Sequence, residues 1–313
     1  MPTAGLYLLS IVCVGVMGFA IQYGATCTVA AVDEVVTARK FNRLSAMIEA
    51  ALWVGCGVAV YHLIFGQLYM PRGYDVGGAT IAGGVLLGLG AYINRACVFG
   101  AIAKLGSGDW AYLFTPLGYF LACVLTARFV PLPSPHPLAV TPLLLRLPAW
   151  AIVGAALILG YRVLRLTVAG FVKGRRHEHY RPHTATLFIG VTFLVLLLTS
   201  GAWTYMDILT DVARHGMVPN AVFRSVLFVM LIAGAMLGGW QTGRLKWAEI
   251  SVVSIVRCLA GGFIMSLGCQ LIPGQNDGLI LIGMPLLWAY AWIAFATMCV
   301  TIAATKMIVA RVG

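Results

Sequence analysis

A chain of 313 residues that is 61% hydrophobic and only 10% charged, with a mean hydropathy of +0.93, cannot cover a water-exposed surface with polar groups. Ordinary soluble domains are about a quarter charged, so this composition excludes a soluble globular protein and makes lipid the solvent. The net charge of +11 would suit nucleic acid, but the placement of the basic residues accounts for it without that partner.

Apolar runs long enough to cross a bilayer occur near 5–25, 45–66, 77–97, 110–130, 148–170, 184–204, 222–241, 249–270 and 279–305, which predicts nine spans. The first lacks a basic leader and reads as a retained span. It ends on Gly24-Ala-Thr-Cys27, a thiol at the mouth of any path, and Asp33–Arg39 then has the pattern of a short interfacial helix. The third run carries Gly77-Gly78 and Gly83-Gly84, which in lipid let helices approach closely. It closes on Gly90-Ala-Tyr-Ile-Asn-Arg-Ala-Cys97, followed by Gly106-Ser-Gly-Asp109 and Pro116. Pro131–Pro137 is a stiff linker, and the basic stretch holding His177, His179 and His183 reads as a solvated loop, since no carboxylate or thiol cluster accompanies it. Asp207–Arg214 repeats the interfacial pattern after the sixth run. The eighth contains Gly262-Phe-Ile-Met-Ser-Leu-Gly-Cys269, followed by Gly274-Gln-Asn-Asp277 and Pro285.

The segments around Cys97 and Cys269 are therefore two copies of one pattern, the first with four more residues between cysteine and turn. Duplication in an apolar chain points to a transporter built from repeats. The expected architecture is an all-α polytopic membrane protein of about nine helices in two inverted repeats, 1–130 and 184–313. Residues 131–183 connect them through the fifth helix and a basic cytoplasmic loop. With the N-terminus outside, Arg39, Lys40, Arg43, Lys104, Arg162, Arg165, Lys173, Arg175, Arg176, Arg181, Arg244, Lys246, Lys306 and Arg311 fall inside, against Arg72, Arg128, Arg146, Arg214 and Arg224 outside. That bias sets the N-terminus out and the C-terminus in.

Helices are expected to break at Cys97 and Cys269, with Gly100, Gly106 and Gly274 as hinges. A broken helix leaves backbone groups tolerable only in protein or a wet cavity, and an N-terminus aimed there favours an anion. A thiol adds a weak donor and a polarizable sulfur, suited to a soft sulfur-bearing ligand. Arg95, close to the thiol, either holds an anion, pairs with Asp109 or snorkels to the interface. Arg257 has the same ambiguity between pairing and attraction. Asp109 and Asp277 are expected to cap the helices they precede, with proton coupling as the alternative. Gln275 and Asn276 either donate to a bound oxyanion or satisfy their turn. If Gly83-Gly84 is aligned with Gly261-Gly262, Gln275 rather than Cys269 stands opposite Cys97. The eight cysteines show neither a CxxC nor the spacing of a disulfide framework. No P-loop, HExxH, Ser-His-Asp or haem motif is present, so ATP-driven transport is not encoded in this chain and no cofactor is expected.

The paired pattern, above all Gly83-Gly-Val-Leu-Leu-Gly-Leu-Gly90 leading to Ala96-Cys97-Val-Phe-Gly100 and Gly106-Ser-Gly-Asp109, resembles the YeeE/YedE sulfur-transport family. Gly18-Phe-Ala-Ile-Gln-Tyr-Gly24 with Cys27 is similar to that family's opening motif. The resemblance implies a bacterial inner-membrane protein that takes up thiosulfate or a related sulfur anion by transient thiol contacts. Cys97 would be the central first-half thiol and Cys269 its partner. The chain departs from the family pattern after Cys269 and lacks a further family cysteine near Lys246. A cytoplasmic sulfur carrier is a conceivable partner, and a sulfane-sulfur sensor or membrane sulfurtransferase are the alternative functions.

Overall fold

The structure is a computed structural model that describes residues 4–66, 70–129, 132, 135–172, 181–216 and 220–312. The described residues form thirteen α-helices and an isolated bridge between Tyr74 and Pro137. In the first half these are α1 (Ala4–Gly24), α2 (Thr28–Ala38), α3 (Asn42–Phe65), α4 (Gly78–Asn94), α5 (Val98–Gly106) and α6 (Phe114–Arg128). After α7 (Ala149–Val172) come α8 (Arg181–Ser200), α9 (Asp207–His215), α10 (Ala221–Gln241), α11 (Val252–Leu271), the single turn α12 (Asn276–Gly278) and α13 (Ala289–Val312). Among the described residues eight helical stretches are long and apolar enough to span a bilayer, and α7, the fifth run of the sequence, is a further 24-residue helix. Their outer faces expose Trp150, Leu157, Ile158, Val229, Val253 and Val300, each more than half accessible. Apolar cover on that scale belongs against acyl chains rather than water. The chain is a multi-pass membrane protein.

The predicted ninth run does not form one helix. After α12, which precedes it, its first part is a π-helical turn, Leu279–Gly283, and a left-handed Leu287 then redirects the chain into α13. Strain of this kind is retained where a fold has functional geometry to hold.

Glycine sets how closely the helices cross. At the α4–α11 contact a Cβ on Gly90 would lie 2.6 Å from the Met265 backbone nitrogen, and one on Gly261 would lie 2.8 Å from the Gly90 carbonyl. Further along, Gly83 meets Gly268, whose own Cβ would lie 2.7 Å from the Gly83 carbonyl oxygen. As one helix ascends from 83 to 90 the other descends from 268 to 261, so α4 and α11 run antiparallel. The α1–α8 contact is antiparallel too, with Ser10 on Ser200 at 2.6 Å at one end and Ala20 and Ala185 facing one cavity near the other. By contrast α1 packs in parallel on α10, as α8 does on α3. The α6–α11 contact is likewise matched by α13 on α4.

The structure places His183 differently from its predicted solvated loop; His177 and His179 lie outside the described residues. His183 is 5% exposed near the start of α8, its Nδ1 2.8 Å from Glu49 Oε2 and its Nε2 2.8 Å from Asn42 Oδ1. Arg162 of α7 donates to Glu49 Oε1 at 2.9 Å, so one carboxylate ties α3, α7 and α8 together. An intramembrane carboxylate needs such partners.

Candidate functional site

Two helix breaks in the first half share one geometry. Ala25 and Arg95 are left-handed, with φ of 47° and 57°. Behind them the amides of Thr26 and Ala96 reach back to the carbonyls of Ile21 and Ala91, at 3.0 and 3.1 Å. This is the Schellman closure of a helix, built here without glycine. The next residue in each case is a cysteine that caps a new helix: the Cys27 carbonyl accepts from Ala31 at 2.9 Å, and the Cys97 carbonyl from Ala101 at 2.8 Å. Asn94 fastens the second break. Its Nδ2 donates to the Ala96 carbonyl at 2.8 Å, and its Oδ1 accepts from Thr115 at 2.9 Å. Helix α4 therefore breaks just before Cys97 rather than after it.

The other half breaks its helices at corresponding places. Gly274, at φ +104°, precedes Gln275, which caps α12 with φ −81° and ψ −179°. Cys97 has φ −77° and ψ −175°. Gln275, not Cys269, thus occupies the position of Cys97, as aligning the glycine pairs allows. Likewise Thr204–Met206 leads into α9 as Thr26–Cys27 leads into α2.

These four starts meet in the protein interior. The Cys27 and Cys97 thiols are near neighbours, and both cysteines are free. The Thr28 amide donates to Cys97 Sγ at 3.1 Å, and Asn276 Nδ2 crosses from the second half to Thr28 Oγ1 at 2.9 Å. Tyr205 donates to the Val98 carbonyl at 2.8 Å. Cys97, Thr28 and Asn276 are fully buried. Asn276 Oδ1 and Gln275 Oε1 are buried without a partner, polar capacity that a ligand in the path can use. Converging helix starts present partial positive charge, so this centre suits an anion, and its sulfur atoms suit a soft one.

On one side of this septum, where α6 and α11 end, lies a cavity of about 700 Å³. Tyr119, Asp207, Arg214, Cys269, Gln270 and Gln275 line it. Gln275 Nε2 donates to the Tyr119 hydroxyl at 3.3 Å, and Arg214 reaches Gln270 Oε1 at 3.4 Å. Burial pushes the Asp207 carboxyl above its ordinary range, against the Thr204 group and Arg224 that hold it down. On the other side, where α1 ends and α3 and α8 begin, a small recess is lined by Cys27, Ala25, Arg43 and Pro182.

Several expected roles change. Cys269 does not face Cys97; it lies in the cavity wall beside Tyr119, while the thiol that meets Cys97 is Cys27. Arg95 is exposed because its left-handed turn directs it away from the buried Cys97, and Arg214 is the cation of the cavity. Gly100 is no hinge: it sits within α5, where a Cβ would run into Cys27 Sγ. Gly106 ends α5 against the Ala235 carbonyl, and of the three expected hinges Gly274 alone is a turn residue with a positive φ. Asp109 makes no capping bond and precedes a 3-10 turn, Trp110–Leu113, before α6. Asp277 lies inside the first turn of α12, where its Oδ1 accepts the Gly278 amide at 2.9 Å. Arg257 pairs with no buried carboxylate among the described residues; its guanidinium lies 5.9 Å from the Tyr112 ring. Sequence reasoning missed Thr28, Tyr119 and Gln270, polar residues in apolar runs that carry no motif of their own.

The model of the sulphur transport family matches residues 23–304, from the turn before Cys27 to the body of α13. The chain belongs to the sulphur transport family. No curated protein matches it. The family match spans both helix breaks of each half, and it assigns the chain a role in sulfur transport.

Proposed function

We propose that this member of the sulphur transport family takes up thiosulfate, or a closely related small sulfur anion, through the axis between its halves. The observation that carries the reading is the contact of Cys27 with Cys97 where two helices begin, closed from the other half by Asn276. The anion enters the 700 Å³ cavity past Arg214, passes Cys269 and Gln275, and reaches the two thiols. Opening requires the Asn276–Thr28 bond and the Thr28–Cys97 contact to part, after which Cys27 delivers the ligand to the recess beside Arg43. Thiol contacts formed and released without a covalent bond suit passage, because a site must hold a ligand without trapping it.

In this reading residues 1–130 and 184–313 are the inverted repeats and 131–183 the connector. The protein sits in a bacterial inner membrane with its N-terminus outside, which makes the cavity the outer mouth. A cytoplasmic sulfur carrier would collect the anion at the recess. The direct test is uptake of radiolabelled thiosulfate by cells lacking other routes, with sulfate, sulfite and selenite as competitors. Accumulation blocked by unlabelled thiosulfate and not by sulfate is expected; equal competition by sulfate would discard the role of the thiols. Arg214→Gln removes about 1 kcal/mol of attraction at the mouth, so half-saturating thiosulfate should rise about fivefold at low salt. Kinetics repeated at rising ionic strength should show that gap close, because salt screens exposed charge.

A further inference from the structure

The acidic residue beside the septum is not used by the path just described. Asp277 is 4% exposed, follows Asn276 directly, and accepts the amide of the next residue at its Oδ1. The groups facing it are Asp207 on α9, Tyr205 before α9, Cys97 at the start of α5 and Cys269 on α11. None is a cation, and no ion pair among the described residues includes Asp277. A carboxylate so placed would oppose an anion at Asn276, whereas a neutral carboxyl would not.

Asp277 also borders a small space. With Trp203, Thr204 and Tyr205 it lines a cavity of about 10 Å³, room for about one water. Trp203 Nε1 is buried there without a partner, a donor awaiting an acceptor. The Thr204 amide donates to Asp207 Oδ2 at 3.0 Å, and Asp207 lines the large cavity. Asp207, in the wall of the large cavity, is thus tied to Thr204, which shares the small cavity with Asp277.

We infer that Asp277 is the proton-coupling residue: it binds a proton delivered through Asp207 from the large cavity, admits the anion while neutral, and releases the proton on the opposite side. The step is carboxylate plus proton giving carboxyl, then the reverse, with no other bond made or broken. It rests on the thiosulfate reading, because a dianion entering against an inside-negative potential accumulates only with accompanying cations.

The experiment uses the full chain in proteoliposomes with labelled thiosulfate. An acid-outside gradient should drive accumulation that a protonophore collapses. Asp277→Asn, fixed in the neutral form, should keep thiosulfate–thiosulfate exchange but lose more than tenfold of the gradient-driven accumulation. Accumulation by the variant that still follows the pH gradient overturns the proposal, as does wild-type accumulation driven by sodium and indifferent to protonophore. Should the variant fail to fold, the wild type alone decides: thiosulfate addition must make the external medium more alkaline, and no pH change refutes coupling. A wild type without any exchange removes the substrate reading and this proposal together; exchange without a pH response removes the coupling alone.

Discussion

Cys97→Ala is expected to lower thiosulfate uptake by at least tenfold while the protein remains folded and abundant in the membrane. A hydrogen bond to a charged group is worth about 1.5–3 kcal/mol, which is about 10- to 150-fold in a rate or affinity. The Cys97 thiol is fully buried between the Thr28 amide and the Cys27 thiol, so no water substitutes for it. Folding tolerates the change because the helix start at this position is made by the backbone carbonyl, which alanine keeps. Cys97→Ser retains a donor without the polarizable sulfur and should fall between the two. Initial rates normalised to membrane-extracted protein check both. An alanine variant that transports like its parent means the anion passes elsewhere. Intact-mass measurement of the wild type after thiosulfate exposure completes the test: no stable gain of a sulfur atom on Cys97 is expected of a relay, and such a gain would indicate a sulfurtransferase.

Gly100→Ala should reduce uptake nearly as severely, from a site with no donor or charge of its own. An added Cβ would meet Cys27 Sγ, and would lie 3.0 Å from Cys27 Cβ and 3.1 Å from Ala96 Cβ. The obstructing atom is the end of a short side chain, so the thiol swings aside while α5 stays in place. Alanine also raises helix propensity by about 1 kcal/mol over glycine, which supports the fold while the thiol pair is lost. Uptake should fall about tenfold or more, as expected for losing one thiol contact to a charged ligand. The stability of the purified variant, measured by thermal unfolding in detergent, should match or exceed the parent's. Unimpaired uptake by Gly100→Ala would show that contact between Cys27 and Cys97 is not required.

The sequence showed the all-α membrane class because that rests on local composition. Long apolar runs report spans, and the glycine pairs report close crossings such as Gly90 on Gly261. It misled on the pairing of thiols, because Cys269 shares a seven-residue spacing from glycine with Cys97 but not its backbone position. Spacing within one helix says nothing of which residue begins the next. The better register came from Gly83-Gly84 and Gly261-Gly262, since those glycines fix the crossing from which both breaks are measured. Thiol contact between Cys27 and Cys97 was hidden because 69 intervening residues, folded through α3 and α4, separate them. Arg95 looked functional for its charge in an apolar run, but it stands exposed in the left-handed turn that closes α4.

Two helix starts of this protein share a backbone shape and differ in the side chain they hold out. Here the same ledge carries an amide in one half, Gln275, and a thiol in the other, Cys97, with their backbone angles within about 5° of each other. On the proposed path, cargo travelling one way would meet nitrogen and oxygen before sulfur, and travelling the other way would meet them in reverse. On the proposed path, then, the two entrances would differ in chemistry although their backbones scarcely differ in shape.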